Sequence, residues 1–241
     1  MATATTTANV DATQVLFADR EPLSPSWSFP MRLRRARVGI FVTIIAIVMV
    51  FVSYSSAYVV RQGLPTLDPR SGTLVHDWIP LQLPNFLLIN TLVLLVSTLT
   101  MELARRQSLR EAHRLIGTRA SSSASSWLGF ESGAADAFPW LPMTAILGLA
   151  FLAGQWLVWR ELAARGFYVA TTPSSSFFYL LTGLHAVHLL GGILALFVAA
   201  GASMFRLHAE TRAVISDATA WYWHFLAVLW LYLLCLLEFA R

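Results

Sequence analysis

Five runs of the chain, at about 38–60, 83–104, 140–163, 176–203 and 220–240, are each twenty or more residues long and almost wholly apolar. A hydrocarbon core about 30 Å thick needs about 20 apolar residues per helix. Inside it every backbone N–H and C=O must find a partner within the protein, which leaves only helices and closed barrels. The period-two alternation of a membrane strand is absent. The expected fold is therefore all-α: a polytopic membrane protein whose five transmembrane helices form a bundle. Only 12% of the residues are charged, about half the roughly 25% of a soluble domain. That is too little to clothe 241 residues in water.

The segments between the runs set the expected organisation. Residues 1–37 are rich in Thr, Ala, Ser and Pro before their arginines begin, and read as an N-terminal arm; residues 38–241 form the transmembrane domain. The first run is too long for a signal-peptide core and lacks a convincing cleavage site. In the connection at about 106–139, ASSSASS and a Gly/Ala/Asp stretch read as flexible linker. Its first part, SLREAHRLIG, reads as a continuation of the second helix that ends near Gly117.

All 17 basic residues are arginine. Arg20, Arg32, Arg34, Arg35, Arg37, Arg105, Arg106, Arg110, Arg114, Arg119, Arg206 and Arg212 fall on one side of the five runs. Arg61, Arg70, Arg160, Arg165 and Arg241 fall on the other. The positive-inside rule then puts the N-terminus in the cytoplasm and the C-terminus outside. Basic residues gathered at the ends of apolar runs are topology signals, so nucleic acid is not an expected partner. Trp140, Trp221 and Trp223 are expected at the cytoplasmic border, and Trp78, Trp156 and Trp159 toward the outer one.

Within the spans the polar residues are neutral. Asn90, Thr91, Gln155, Thr182, His185, His188 and His224 are the most prominent, joined by Thr43, Ser53, Ser55, Ser56, Ser97 and Thr98. Neutral polar groups in a membrane favour hydrogen bonds between helices, each worth about 0.6–2 kcal/mol. Rows of small residues (Ala150 and Gly154; Gly183, Gly191 and Ala195; Gly192, Ala195 and Ala199) would let backbones approach closely. No carboxylate or arginine is expected at the midplane, which argues against an autonomous pump or transporter. Glu102, Glu161 and Glu238 fall near span ends, within reach of water. The lone Cys235 reads as a small apolar residue.

FFYLLTGLHAVHLLGG carries two intramembrane histidines, His185 and His188, three residues apart. They project about 60° apart on a helix. One haem takes axial ligands from opposite sides of its plane, so these two cannot share one from a straight helix. His224 could supply an opposite ligand, which keeps a bis-His haem b electron carrier among the alternatives. A di-metal site would need carboxylates from facing helices, and none is expected at that depth. Neutral histidines bonded to other helices are the simpler reading.

Several ordered stretches together resemble subunit III of haem–copper terminal oxidases, such as cytochrome c oxidase. They are LPNFLLINTLVLLVSTLT with Asn90 and Thr91, LGLAFLAGQW with Gln155, and SSSFFYLLTGLHAVHLLGG with Thr182, Gly183, His185, His188 and Gly192. The fifth run, WYWHFLAVLWLYLL, contributes Tyr222, Trp223, His224 and Trp230; the first fits more loosely through Gly39, Ala57, Tyr58 and Arg61. The resemblance runs from about 38 to 240 and is to the family's shorter, five-helix form. It implies a subunit that binds no cofactor of its own but holds phospholipid. It also implies direct packing on subunit I, with subunit II and other respiratory subunits nearby and haem and copper on those partners. The chemistry served would be oxidation of cytochrome c, O₂ reduction and proton pumping in a bacterial inner (plasma) membrane. A sister reading is a subunit III-like protein of a quinol oxidase or nitric oxide reductase system. By the resemblance the twelve residues from Asn90 to Trp230 named above are signature or interhelical contact residues, with no catalytic or metal role. Two positions depart from the family: Ile47 and Val158 stand where relatives often carry a membrane-embedded glutamate.

Overall fold

The computed structural model describes residues 28–67, 71–75, 78–79, 84–121, 139–169, 171–205 and 207–239. The expected arm up to residue 27 and the middle of the 106–139 connection lie outside these. Five helices account for nearly all of them: α1 (Phe29–Gly63), α2 (Phe86–Ser121), α3 (Trp140–Ala164), α4 (Pro173–Met204) and α5 (Ala209–Phe239). All five are long and apolar enough to cross a membrane. Between α1 and α2 lies one two-residue hairpin, β1 (Thr66–Leu67) against β2 (Leu74–Val75).

Local chemistry sets where several helices begin and end. Pro30 occupies the first turn of α1, where its missing N–H costs nothing. Thr172 caps α4 by accepting from the Ser175 backbone N–H, and the Ser175 hydroxyl accepts from the Thr172 N–H in return. Pro173 follows at the first helical position. At the end of α3, Phe167 N–H bonds to Leu162 O and Gly166 N–H to Ala163 O. This pairing requires a left-handed residue, and Gly166 has φ +89°.

The helices outrun the apolar segments. α1 begins nine residues before 38, α2 passes Gly117 to reach Ser121, and α5 begins at Ala209, ahead of 220. Helix propensity and side-chain contacts carry these turns on where apolarity stops. Phe29 of α1, Ala112 of α2 and Ala213 of α5 form a small buried cluster of their own at that end.

α2, α3, α4 and α5 close a ring in which each helix packs on its two neighbours, and α1 lies outside it against α5 and α4. The ring's core includes Leu87, Leu94, Phe151, Leu162, Phe178, Leu189, Leu196, Trp223 and Trp230. A second cluster seats α1: Ile47 and Phe51 meet Leu181 of α4 with Leu229 and Leu233 of α5. The outward sides of α1 (Val42, Ile45, Met49, Val52) and α2 (Leu88, Leu92, Leu99) are exposed and apolar, as lipid-facing surfaces are.

Candidate functional site

Three indoles repeat one device inside the ring. Trp230 Nε1 donates to Thr91 Oγ1 at 3.0 Å, Trp223 Nε1 to Ser97 Oγ at 3.0 Å and Trp159 Nε1 to Thr182 Oγ1 at 3.1 Å. Each hydroxyl then passes its own proton to a carbonyl of its own helix: Thr91 to Leu87, Ser97 to Leu94 and Thr182 to Phe178. An indole can only donate, whereas a hydroxyl both accepts and donates. The chain of two bonds therefore leaves no polar atom unmet in hydrocarbon. Thr100 and Thr144 add a hydroxyl pair at 2.8 Å between α2 and α3.

The glycines make these contacts possible where helices touch. A Cβ on Gly148 of α3 would stand 2.6 Å from Trp223 Cη2, and one on Gly192 of α4 would stand 3.1 Å from the same ring. Trp223 thus lies between two helices, both thinned to glycine. Asn90 donates from Nδ2 to Phe151 O at 3.1 Å, and its Oδ1 would lie 2.2 Å from a Cβ at Gly154. Gly183 is different: its nearest neighbour, Trp159, would be 4.0 Å from a Cβ, an ordinary contact.

The three histidines have three separate environments. His185 is buried between the rings of Trp230 (centroids 5.1 Å apart) and Phe151 (6.2 Å). The His188 ring bonds through Nδ1 to Leu184 O at 2.8 Å and lies 5.7 Å from the Phe51 ring, and Tyr222 Oη donates to its backbone carbonyl at 3.1 Å. His224 reaches across to Glu102 Oε2 at 3.4 Å. The three rings thus have different neighbours: His185 lies against Trp230 and Phe151, His188 against Leu184 and Phe51, and His224 against Glu102. Among the described residues there is also no group of three or more His, Cys, Asp or Glu that could hold a metal ion.

The reading of the sequence missed an ionic cluster at the arginine-rich end. Asp217 of α5 is wholly buried. It accepts from Arg37 of α1 through Nε (2.8 Å) and Nη2 (3.1 Å), and from Arg105 Nη1 of α2 at 3.1 Å. Arg105 also forks onto Glu102 with two bonds of 2.8 Å, and Arg106 Nε adds one of 2.7 Å. Around it, Arg212 pairs with Glu111 and Arg32 with Thr211 at 3.0 Å. Planar guanidinium forks match carboxylates bidentately, so one buried acid joins three helices. Glu102 is correspondingly held by two arginines and a histidine. The available signal was Asp217 itself, an acid among Val214, Ile215, Ala218 and Ala220 at the depth of Arg37 and Arg105. Starting the fifth span at 220 left it outside. Trp223, expected near the cytoplasmic border, is fully buried in the ring, its indole turned inward between helices.

A ring of four apolar helices joined by hydroxyl-relayed indoles, with a fifth helix clamped outside, defines a polytopic α-helical membrane protein built for packing. The family model described as Cytochrome c oxidase subunit III matches residues 33–239. The chain belongs to that family. The "Probable cytochrome c oxidase subunit 3" of Mycobacterium tuberculosis (strain ATCC 25618 / H37Rv) is 34% identical over 105 residues, covering 42% of this chain and 50% of that protein. The protein of the same description from Nocardia farcinica (strain IFM 10152) is 30% identical over 105 residues, with the same coverage. "Cytochrome c oxidase subunit 3" of Branchiostoma lanceolatum is 29% identical over 202 residues, 82% of this chain and 66% of that one. The chain spans about half the length of the bacterial relatives it matches.

Proposed function

We propose that this chain is the third, non-redox subunit of a proton-pumping cytochrome c oxidase, with N-terminus cytoplasmic and C-terminus outside, in a bacterial plasma membrane. The observation that carries the reading is the family match across residues 33–239. In this role the chain packs on subunit I, near subunit II, holds phospholipid along its apolar faces, and sustains proton uptake and turnover. Haem and copper belong to the partner subunits. The interior supports a scaffold: its indole–hydroxyl pairs join helix to helix, and its buried charge is spent on one inter-helix cluster. The twelve signature residues act as packing contacts, not ligands.

The test is gentle purification from native membranes followed by subunit identification. The chain is expected to co-purify with a haem-containing core and a copper-binding subunit II. Deleting it is expected to leave the core's haem and copper content intact while shortening activity under turnover. Recovery as a lone homo-oligomer would overturn the assignment. A haem absorption band from the isolated chain would overturn its non-redox role.

A further inference from the structure

The indole and hydroxyl groups of the ring are matched, but two buried side chains between α3 and α4 are not. His185 is 1% exposed and Gln155 2% exposed. Neither ring nitrogen of His185 and neither amide atom of Gln155 has a hydrogen-bond partner within the protein. The register places them together. Phe151 of α3 faces His185 of α4, and Trp159 reaches Thr182. Gln155 lies midway between Phe151 and Trp159, one turn from each on the same face of α3. Gln155 therefore shares the face of α3 that packs on the stretch of α4 between Thr182 and His185.

We propose that Gln155 and His185 form a water-binding site within the membrane-spanning bundle, walled by Phe151 and Trp230. The chemistry is complementary. A neutral imidazole offers one donor and one acceptor, and a carboxamide offers two donors and two acceptor positions. A water supplies two of each, and ordered internal waters make about three bonds to polar groups that otherwise lack partners. In hydrocarbon no lipid group can meet these atoms. The flanking hydroxyl cannot donate: Thr182 gives its proton to Phe178 O. The aromatic walls fix the imidazole and keep the site narrow, so the water exchanges slowly with bulk.

Radiolytic footprinting of the full-length chain in its native membrane tests this. The sample is mixed into H₂¹⁸O immediately before the pulse, so that slowly exchanging internal water remains ¹⁶O. A bound water yields hydroxyl radical in place. Phe151 and Trp230, 0% and 1% exposed, are then expected to gain ¹⁶O, whereas exposed Trp156 and Trp221 gain ¹⁸O. Phe51, equally buried and beside the His188 ring that is already bonded to Leu184 O, serves as the reference. In the Gln155→Leu/His185→Phe double variant the ¹⁶O labelling is expected to disappear. Labelling of Phe151 and Trp230 no greater than that of Phe51 in the unmodified protein would overturn the proposal. That result would mean that no water is held between the two side chains. The wild-type comparison decides the matter even if the double variant fails to assemble.

Discussion

Replacing Asp217 with Asn preserves the shape of the side chain and removes its charge. The carboxylate takes three bonds, two from Arg37 and one from Arg105. An Asn side chain can accept through one atom only; its NH₂ would face a guanidinium donor. Hydrogen bonds to charged groups contribute about 1.5–3 kcal/mol each, and breaking a buried ion pair costs about 3–5 kcal/mol. The arginine side chains retain 38% and 24% exposure, so water or headgroups compensate part of that loss. The lower end, about 3 kcal/mol, is the appropriate figure for a pair so placed. It corresponds to roughly a 100-fold shift in an equilibrium. The element most affected is α1, which sits outside the ring and has this clamp near its start. The assay is thiol labelling in membranes at Ile47→Cys, a position 7% exposed against α4 and α5, in a Cys235→Ser background. With labelling limited by opening, Asp217→Asn is expected to raise the rate about 100-fold. Arg37→Gln should raise it less, because Arg105 still neutralises Asp217. The double variant should fall short of the summed effects, since both changes break the same bonds. An unchanged labelling rate in Asp217→Asn, or strict additivity, would refute the clamp.

Other substitutions probe the ring. Gly148→Ala places a methyl group 2.6 Å from the Trp223 ring and is expected to cost about 1–3 kcal/mol, measured as thermal stability in detergent. Gly154→Ala must displace the Asn90 amide; a second change, Asn90→Ala, should restore much of the stability by removing the obstructing atoms. Trp230→Phe loses the bond to Thr91 and part of the indole's bulk, and is expected to cost more than the bond alone, which is worth about 0.6–1.7 kcal/mol. Trp230→Ala should cost about 3–5 kcal/mol by opening a cavity.

The five spans and their order were legible because hydrocarbon imposes a length and an apolarity that sequence displays directly. Helix ends were less legible. Apolarity reports where lipid stops, whereas α1 and α5 continue on local contacts such as the cluster of Phe29, Ala112 and Ala213. The polar contacts were legible as a list but not as pairs. Asn90, Thr91, Thr182, Trp223 and Trp230 all make them, yet the partner depends on inter-helix register, which no single run contains. Trp223 illustrates this: glycines on two other helices open the interior to its indole, which its own run does not reveal. Asp217 was hidden for the opposite reason: a charge ordinarily ends a span, and here arginines from two other helices bring it inside.

Ile47 and Val158, the two positions at which the family resemblance leads to the expectation of an embedded glutamate, show how the rest of the interior is arranged. Ile47 is 7% exposed between α1 and the ring, and Val158 is wholly buried in the ring. Their neighbours include Phe51, Leu181, Leu229 and Leu233 for Ile47, none of which can partner a carboxylate. An acid introduced at either place would enter an interior whose described charges are gathered at the arginine-rich end, on Glu102, Asp217 and their arginines. Such a group stays neutral or destabilises the bundle. Val158→Glu is therefore expected to lower thermal stability sharply, with Val158→Gln lowering it less at high pH and the two converging at low pH, where the acid is protonated. Equal losses across the pH range would refute a destabilising charge at the Val158 site, the acid then behaving there as a neutral side chain like Gln.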